Sequence, residues 1–305
     1  MAERVMDSII DKKAKATLIK TIKVDALING YKKEFDIDVK KYFKTLTEIY
    51  IYECESTKLR FFYPFDIEGD SEFYEQLQKF DWYYMPWKWE HEITKNALIG
   101  KEKILEVGSG GLGFVEKMHN LGYSITGLEL NKSSIKEAKD KGLKVLEESL
   151  ELHAESNYQK YDVVCSFQVL EHVTQVNSFI RSKVDCLKSG GKLIVAVPNN
   201  DSFIKWTDGG LLNKPPHHMG LWNRKSLLKL ADCFDLKTEK IFYEPLQYYH
   251  VNWYINSLIE TKIKPRKTIY KIFKKLKLKR LLVHYVRLNQ KYINGHSMLV
   301  VYKKI

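Results

Sequence analysis

The distribution of apolar and polar residues changes at about residue 100 of the chain. Before that point the chain is polar and rich in aromatic residues. Residues 50–64 place strand-like residues on either side of a polar turn, which predicts a hairpin. Residues 73–98 carry many aromatic side chains, and we expect Pro86 to interrupt them before a helix resumes towards Leu98.

After residue 100, short apolar runs alternate with segments of helical spacing. The runs predict strands within residues 103–110, 123–130, 143–150, 161–173, 190–198, 236–244 and 296–304. Helices are predicted between them, within residues 113–122, 131–142, 175–188 and 223–234. This alternation predicts an α/β fold, in which a parallel sheet is covered by helices on both faces.

These patterns divide the chain into three parts. Residues 1–99 are expected to form an N-terminal cap over a ligand site, and residues 100–245 together with 295–305 the ligand-binding core. Residues 246–294 interrupt the hairpin expected between the last two strands. They are rich in lysine, which predicts a basic helical insertion.

Composition narrows the class of protein. Of the 305 residues, 44% are hydrophobic and 29% are charged, which is ordinary for a soluble globular protein. No apolar run is long enough to span a membrane and the N-terminus lacks the apolar core of a signal peptide, so we expect a cytoplasmic protein. The four scattered cysteines form no CxxC pair, and we therefore expect reduced thiols and no metal site.

The net charge of +12 is concentrated at one end of the chain. Residues 261–305 contain 14 Lys or Arg and no Asp or Glu. Within residues 262–291 the cations are interleaved with apolar residues at helical spacing, which is typical of helices that bind an anionic membrane surface or a partner helix. The alternative is a solvated helix that packs its apolar side on its own domain.

A glycine-rich turn follows the first strand of the alternating region. Gly108, Gly110 and Gly113 have the spacing of a dinucleotide-binding turn, whereas Glu106 with Gly108 and Gly110 has the spacing of a methyl-donor site. Glu129 ends the second strand, where a carboxylate can accept hydrogen bonds from ribose hydroxyls. These residues alone fit NAD and S-adenosylmethionine equally well.

Further along, several segments resemble the class I S-adenosylmethionine-dependent methyltransferases, in particular their small-molecule branch. The matching segments, in the family's order, are ILEVGSG (104–110), GLEL (127–130), YDVVCSFQVLEHV (161–173), LKSGGKLIVAVPN (187–199) and PPHHMGLWN (215–223). The VLEHV segment is the most diagnostic of them. The resemblance implies a Rossmann-like, doubly wound, mostly parallel seven-stranded sheet with an antiparallel last strand. It also implies S-adenosylmethionine as cofactor and S-adenosylhomocysteine as product.

The resemblance implies which residues hold the donor. Glu106 and the glycine backbone would bind its amino-acid end, and Glu129 its ribose. Ser149 lies where the family often has an Asp that contacts adenine, and Gln168 begins the segment beneath the donor. Leu112 stands where a third glycine is usual, which we expect to narrow the loop without abolishing binding. The full implied set is Glu106, Gly108, Ser109, Gly110, Glu129, Leu130, Ser149, Leu150 and Gln168.

Methyl transfer also requires an acceptor site. His217 and His218 follow the fifth strand on a proline-stiffened loop, where ligands bind in open α/β sheets. We expect one of the two to face the acceptor, since adjacent residues should point in different directions, and histidine suits removal of a hydroxyl proton near neutral pH. His172 either contacts the acceptor or is structural, and Glu171 either caps the following helix or belongs to the site.

Together these features predict O-methylation of a sugar or a lipid-linked glycan, since the cap, hairpin and PPHH loop resemble methyltransferases of bacterial cell-envelope polysaccharides. The alternatives are a quinone or phenol O-methyltransferase and, from another class, a catalytically silent donor-binding scaffold. Nucleic acid is disfavoured, because the segment after the fourth strand lacks the signatures of base methyltransferases. Residues 262–291 add an anionic membrane surface as an expected partner, which would place the protein at the inner membrane face.

Overall fold

The computed structural model describes residues 3–11, 13–207 and 209–305, which form two β-sheets with helices packed around them. The strands are β1 (Val5–Asp7), β2 (Lys15–Lys23), β3 (Glu48–Cys54), β4 (Arg60–Tyr63), β5 (Lys103–Val107), β6 (Ser124–Leu128), β7 (Val145–Leu146), β8 (Tyr161–Phe167), β9 (Leu187–Pro198), β10 (Gly220–Leu221), β11 (Leu236–Pro245) and β12 (Asn294–Lys304). The helices are α1 (Val24–Phe35), α2 (Lys40–Phe43), α3 (Ser71–Leu77), α4 (Trp89–Asn96), α5 (Gly113–Asn120), α6 (Lys132–Asp140), α7 (Leu150–Ser156), α8 (Val176–Cys186), α9 (Arg224–Cys233), α10 (Val251–Leu258), α11 (Lys267–Lys275) and α12 (Lys279–Asn289).

The larger sheet has seven strands in the order β11-β12-β9-β8-β5-β6-β7. The strands from β5 to β9 pair in parallel, whereas β12 runs antiparallel to both β9 and β11. This confirms the predicted Rossmann-like fold with an antiparallel last strand. From β5 the chain builds outward through β6 and β7 on one side and through β8 and β9 on the other. The loops after β5 and β8 therefore meet at the carboxyl edge, where ligands bind in such sheets.

The continuous apolar character of the central strands follows from burial on both faces of the sheet. In β9, Leu193 and Val195 pack with the helices on one face, whereas Ile194 and Ala196 pack on the other.

The third strand is much shorter than the apolar pattern over residues 143–150 predicted. Only Val145–Leu146 pairs with β6. The chain then leaves the sheet, because the Ser149 hydroxyl accepts a hydrogen bond from the backbone N–H of Leu152 and so starts α7.

The smaller sheet is antiparallel and has the order β1-β2-β3-β4-β10. The hairpin predicted over residues 50–64 is confirmed, with Tyr50 of β3 opposite Tyr63 of β4. The strand β10 comes from the core half of the sequence and pairs with β4, which places Gly220 opposite Phe61. The sequence pattern did not predict this two-residue strand. Through it, the loop that follows β9 is attached to the N-terminal sheet.

A buried aromatic cluster strengthens that attachment. Tyr31 of α1 is fully buried with Phe62 and Phe73 in the core beneath the smaller sheet. Its hydroxyl lies 3.0 Å from the carbonyl oxygens of both Leu211 and Lys214, which belong to the loop between β9 and β10. The N-terminal part of the chain thus positions a loop of the core.

The three helices between β11 and β12 differ in their packing. α10 buries Val251 and Ile255 against Phe203 and Leu246. By contrast, α11 has no buried residue. No helix within the described part of the chain combines the length and the apolar character needed to cross a membrane.

Candidate active site

The glycine turn after β5 takes backbone conformations that require glycine. Gly108 has a φ of +77°, and a Cβ there would lie 2.6 Å from Cγ2 of Val169. Gly110 has a φ of +44°, and a Cβ there would lie 3.0 Å from the ring of Tyr84. The turn is therefore packed between the segment after β8 and the aromatic segment that precedes α4. Larger residues at either position would be strained and would push these neighbours away.

The carboxylate of Glu129 holds the turn in place from the end of β6. It accepts hydrogen bonds from the backbone N–H groups of Gly110 (2.6 Å), Leu130 (2.8 Å) and Asn131 (2.9 Å). A carboxylate offers about four lone-pair sites, so Glu129 retains acceptor capacity for ribose hydroxyls.

Glu106 and Ser109 supply polar atoms that meet no partner in the described part of the chain. The Glu106 side chain is 3% exposed, and neither its Oε2 nor the Ser109 hydroxyl forms a hydrogen bond. Burial, and then the negative charge of Glu129, raise the pKa of Glu106 well above its usual value. A buried carboxyl of this kind suits a cationic ligand, since such a charge would relieve its isolation. These residues fit the ammonium-bearing end of S-adenosylmethionine.

The other residues expected to bind the donor are differently placed. The side chain of Leu130 is 61% exposed, whereas Leu150 is buried in the core. The Ser149 hydroxyl is engaged in capping α7. Gln168 lies at the end of β8 and donates to the hydroxyl of Ser297 at 3.2 Å. Glu106, Ser109 and Glu129 therefore form the polar part of the expected donor site, and Ser149 is committed to local structure.

On the acceptor side, three histidines form one cluster, in which His217 and His218 are buried and His172 is half-buried. The rings of His217 and His218 stack with centroids 4.4 Å apart and an interplanar angle of 20°. The ring of His172 lies 4.7 Å from that of His217 and 4.9 Å from that of His218. The expectation that the adjacent histidines point in different directions is wrong. Both backbone N–H groups bond to the carbonyl of Lys214, and this tight turn keeps the two side chains on one side.

Each imidazole is oriented by a hydrogen bond at Nδ1. His217 Nδ1 donates to the carbonyl of Leu212 (2.8 Å), and His172 Nδ1 donates to the carbonyl of His217 (2.5 Å). His218 Nδ1 donates to Oδ1 of Asn213 at 3.1 Å. These acceptors place the proton on Nδ1, so the lone pair of each ring resides on Nε2.

The Nε2 atoms of the adjacent histidines have different surroundings. The hydroxyl of Tyr83 lies 2.9 Å from Nε2 of His217 and donates to it. Nε2 of His218 has no hydrogen-bond partner among the described residues, and lies 4.0 Å from Oε1 of Glu171. Of the two candidates, His218 therefore presents the open nitrogen.

Glu171 is the buried carboxyl of this cluster. Its side chain is fully buried, and within the described residues neither carboxylate oxygen has a hydrogen-bond partner. The interpretation of Glu171 as a helix cap is therefore wrong, because it accepts no backbone N–H of α8. Burial raises the pKa of Glu171 to about 8. Burial also lowers the pKa of His172 to about 4 and those of His217 and His218 well below 6.5, so the three rings are neutral.

Two adjacent tyrosines connect the histidine cluster to the glycine turn. The ring of Tyr84 covers Gly110 and Gly111 and lies 4.9 Å, centroid to centroid, from the ring of Tyr83. Tyr83 in turn bonds to His217. The segment after β8 makes a second connection, since Val169 contacts Gly108 and Glu171 follows two residues later. The histidine cluster thus adjoins the expected donor site.

Several residues of this site were not among the sequence candidates. Tyr83 bonds to His217, Tyr74 lies 3.1 Å from Nδ1 of His172, and Tyr84 covers the turn. The sequence pattern predicts these tyrosines to be core residues of an aromatic segment. The density of aromatic residues over 73–89 was the only available signal, because contact with the distant histidines depends on tertiary packing.

A further polar cluster lies on the other side of Gln168. Glu244 of β11 accepts the backbone N–H of Ser297 at 3.0 Å, and Glu90 of α4 approaches Gln168 at 3.5 Å. Burial, followed by the charge of Glu90, raises the pKa of Glu244 to about 7. This cluster joins α4 to the strands that flank the insertion.

Comparison with known proteins identifies a family and several relatives. A family model described as a methyltransferase domain matches residues 82–241. The ubiquinone biosynthesis O-methyltransferase of Vibrio vulnificus (strain YJ016) is 32% identical over 143 residues, 45% of this chain and 57% of that protein. The protein of the same name from Aliivibrio fischeri (strain MJ11) is 36% identical over 168 residues, 50% of this chain and 71% of that protein. The chain thus spans little more than half the length of the first of these relatives.

Among solved structures, a SAM-dependent methyltransferase from Archaeoglobus fulgidus matches 70% of this chain and 94% of its own. Its sequence identity is 17% and its TM-score is 0.47.

Proposed function

Because the chain belongs to the methyltransferase-domain family of S-adenosylmethionine-dependent methyltransferases, we propose that it methylates the oxygen of a hydroxyl on a phenol-type ring. The observation that carries this proposal is the cluster of imidazoles and one carboxyl beside the glycine turn. S-adenosylmethionine supplies the methyl group from its sulfonium and leaves as S-adenosylhomocysteine. The protein's own contribution is to position the acceptor, exclude water and receive a proton.

The residues of the turn would hold the donor. Glu106 and Ser109 offer unpaired buried oxygens to its amino-acid end, and Glu129 offers its remaining lone pair to the ribose. Tyr84 packs against Gly110 and Gly111 of the turn. Holding both reactants in line supplies much of the rate acceleration in such a displacement.

On the acceptor side, Nε2 of His218 would accept the hydrogen bond of the hydroxyl and receive its proton, and the carboxylate form of Glu171 beside it would stabilise the imidazolium. Nε2 of His218 has no other partner within the described residues, and Glu171 Oε1 lies 4.0 Å from it. A hydroxyl oxygen is a better nucleophile once its proton has a place to go.

A phenol-type ring is favoured over a sugar by the relatives and by the cluster's lining. The matching relatives are named ubiquinone biosynthesis O-methyltransferases. Tyr74 and Tyr83 place flat aromatic rings beside the histidines. In addition, a phenol, with a pKa of about 10, loses its proton far more easily than an aliphatic alcohol does.

A sugar hydroxyl of a lipid-linked glycan is the second candidate. Residues 1–81 lie outside the family match, and they carry the antiparallel sheet that anchors the loop of His217 and His218. Aromatic faces such as those of this segment also suit sugar rings.

We further propose that the insertion binds an anionic membrane surface, so that the acceptor is reached from a bilayer. Exposed apolar side chains lie among lysines and arginines on α11 and α12, and no acid lies within residues 261–305. The exposed apolar residues are Ile269, Ile272, Leu276, Leu281, Tyr285 and Leu288. Apolar insertion and electrostatic attraction to anionic lipids would act together on such a surface.

The proposed activity can be tested by measuring S-adenosylhomocysteine release with a panel of acceptors. The panel would contain catechols with and without a prenyl tail, sugar nucleotides and lipid-linked sugars. We expect turnover with catechols, a drop of roughly 10²–10⁴-fold in His218→Ala, and unchanged donor affinity in that variant. His119→Ala, an exposed change on α5, is the control.

Three other outcomes of this assay would redirect the assignment. Turnover with the sugar acceptors alone would select the second candidate. Donor binding without turnover on any acceptor would favour a catalytically silent scaffold. A methylated nitrogen in the product would exclude O-methylation.

A further inference from the structure

The strongest unassigned feature of the chain is the convergence of three imidazoles on one point. We propose that His172, His217 and His218 bind a divalent transition-metal ion, with Glu171 beside it. Each ring offers one nitrogen, and these three nitrogens lie within 4.8 Å of one another. In a tetrahedral site with metal–nitrogen bonds of about 2.1 Å the ligand nitrogens lie about 3.4 Å apart, so the most distant pair would have to approach by at most about 1.4 Å to close around an ion.

The hydrogen bonds around the cluster already prepare the rings as ligands. A metal-binding histidine generally donates its other ring N–H to a carbonyl or carboxylate, which fixes the tautomer and the orientation of the ring. All three rings follow this pattern at Nδ1, with the carbonyls of Leu212 and His217 and the amide oxygen of Asn213 as acceptors. Asn213 is itself oriented, because its Nδ2 donates to Oδ1 of Asn200 at 2.8 Å.

Glu171 is the independent observation that points to a cation. It is fully buried, and no group within the described residues donates a hydrogen bond to either of its oxygens. Leaving a buried carboxyl without a partner is costly, whereas a nearby cation would remove that cost. The carboxylate lies 4.0 Å from Nε2 of His218, which places it beside the proposed ion.

The hydroxyl of Tyr83 competes with the ion for one ligand. It lies 2.9 Å from Nε2 of His217 and occupies the lone pair that the metal would use. Removing this hydroxyl should therefore favour metal binding, whereas removing an imidazole should oppose it.

The donor set indicates the class of ion. Neutral imidazoles suit zinc, cobalt, nickel and iron better than magnesium or calcium, which prefer oxygen ligands. Three histidines also leave a coordination position open, as in catalytic zinc sites. In a role that rests on the proposed function, an ion there would take the lone pair of His218, hold the acceptor hydroxyl in its place and make that hydroxyl more acidic.

The test is metal binding by the full chain, expressed without a histidine tag, in the absence of donor and acceptor. After chelation, calorimetry with Zn²⁺ and absorption spectra with Co²⁺ would be recorded. We expect one equivalent of each ion, visible Co²⁺ bands typical of tetrahedral or five-coordinate sites, and no comparable binding of Mg²⁺.

The variants are expected to change the affinity for Zn²⁺ in opposite directions. His218→Ala should weaken Zn²⁺ binding by more than about 100-fold, and Asn213→Ala by roughly 10–100-fold through the lost orienting bond. Tyr83→Phe should strengthen it, and the exposed His119→Ala should leave it unchanged. Circular dichroism and thermal unfolding would establish that each variant is folded.

The metal proposal and the proposed function can fail separately. Absence of stoichiometric binding by the folded chain, or binding that survives in both His218→Ala and Asn213→Ala, would overturn the metal site whatever the acceptor assay gives. Stoichiometric binding with no methylation of any hydroxyl acceptor would leave the metal site standing and overturn the proposed function.

Discussion

At the scale of single residues, Leu112 occupies a conformation that favours glycine. Its φ is +63°, and its side chain is fully buried in the core beneath α5. The left-handed conformation costs a leucine about 1–2 kcal/mol, whereas burial of its side chain stabilises the fold by about 1.5–3 kcal/mol. The burial offsets the strain, which explains how this chain departs from the usual glycine at that position.

We predict that Leu112→Gly destabilises the protein less than Leu112→Ala does. Both variants lose the buried side chain, which lowers the free energy of unfolding by roughly 2–5 kcal/mol. Only glycine also relieves the strain of the left-handed conformation. The expected advantage of glycine is about 1 kcal/mol, measured by urea unfolding. If the alanine variant were as stable as the glycine variant, or more stable, the left-handed conformation of residue 112 would be contradicted.

Glu129 is the residue on which the proposed donor site most directly depends. Glu129→Ala should remove the charge-assisted hydrogen bond to the ribose and release the N–H of Gly110, and donor affinity should fall by roughly 2–4 kcal/mol. Calorimetry with S-adenosylhomocysteine would measure this loss. Glu155→Ala, an exposed change at the end of α7, should leave the affinity unchanged. Equal affinities in the two variants would remove Glu129 from the site.

At the scale of elements, α8 carries a lysine on its buried face. Lys183 is fully buried, its Nζ donates to the hydroxyl of Ser166, and it lies 4.4 Å from the centroid of the Phe179 ring. Burial lowers the pKa of Lys183 to about 7. The helix thus keeps a lysine that is largely neutral in the folded protein above pH 7.

This lysine should make stability depend on alkaline pH. Between the folded pKa of about 7 and the usual value of 10.5, the unfolded chain binds a proton that the folded chain does not. The contribution of Lys183 to the free energy of unfolding is therefore most favourable above pH 10.5. It becomes progressively less favourable as the pH falls from 10.5 to 7. Lys183→Met should raise the free energy of unfolding at pH 7 by roughly 1–4 kcal/mol, with a smaller gain near pH 10.

Urea unfolding at several pH values would measure this dependence. The matched control is Lys117→Met, which replaces an exposed lysine on α5. It should follow the pH dependence of the unchanged protein. A gain from Lys183→Met that stays constant between pH 7 and pH 10 would show that titration of Lys183 does not contribute.

At the scale of the whole molecule, positive charge and exposed apolar surface coincide. The 14 cations of residues 261–305 lie on a segment whose helices α11 and α12 leave large apolar side chains exposed. The rest of the chain is close to neutral. An anionic bilayer would therefore attract one end of the molecule and orient it.

We predict that replacing Lys271, Lys274 and Lys275 by Gln lowers affinity for anionic vesicles by about 3 kcal/mol, at about 1 kcal/mol for each lysine. Co-sedimentation with phosphatidylglycerol vesicles would measure it, and binding should weaken as salt rises. The control replaces the equally exposed Lys132, Lys136 and Lys139 of α6. Equal losses of vesicle affinity in both triple variants, or equal binding to neutral and anionic vesicles, would contradict docking through the insertion. Preferential binding to RNA would indicate a different anionic partner.

The sequence by itself determined the architecture of the larger sheet and the position of the glycine turn. Both are local properties: alternation of apolar runs with helical spacing requires a two-faced parallel sheet, and the spacing of Gly108, Gly110 and Glu129 follows from one strand–turn–helix unit. The third strand was overestimated because an apolar pattern does not reveal a helix cap such as Ser149. The two-residue β10 carried too little pattern to be recognised.

Only the tertiary structure decided the arrangement of the candidate acceptor site. Tyr83, His172 and the adjacent pair His217 and His218 come from three distant parts of the sequence, and their contacts arise because β10 and Tyr31 attach the loop after β9 to the N-terminal sheet. The sequence identified the histidines by residue type and loop position, but not that the adjacent pair would stack or which nitrogen would stay open. Hydrogen bonds to distant backbone carbonyls set these orientations, and no local pattern of side chains encodes them.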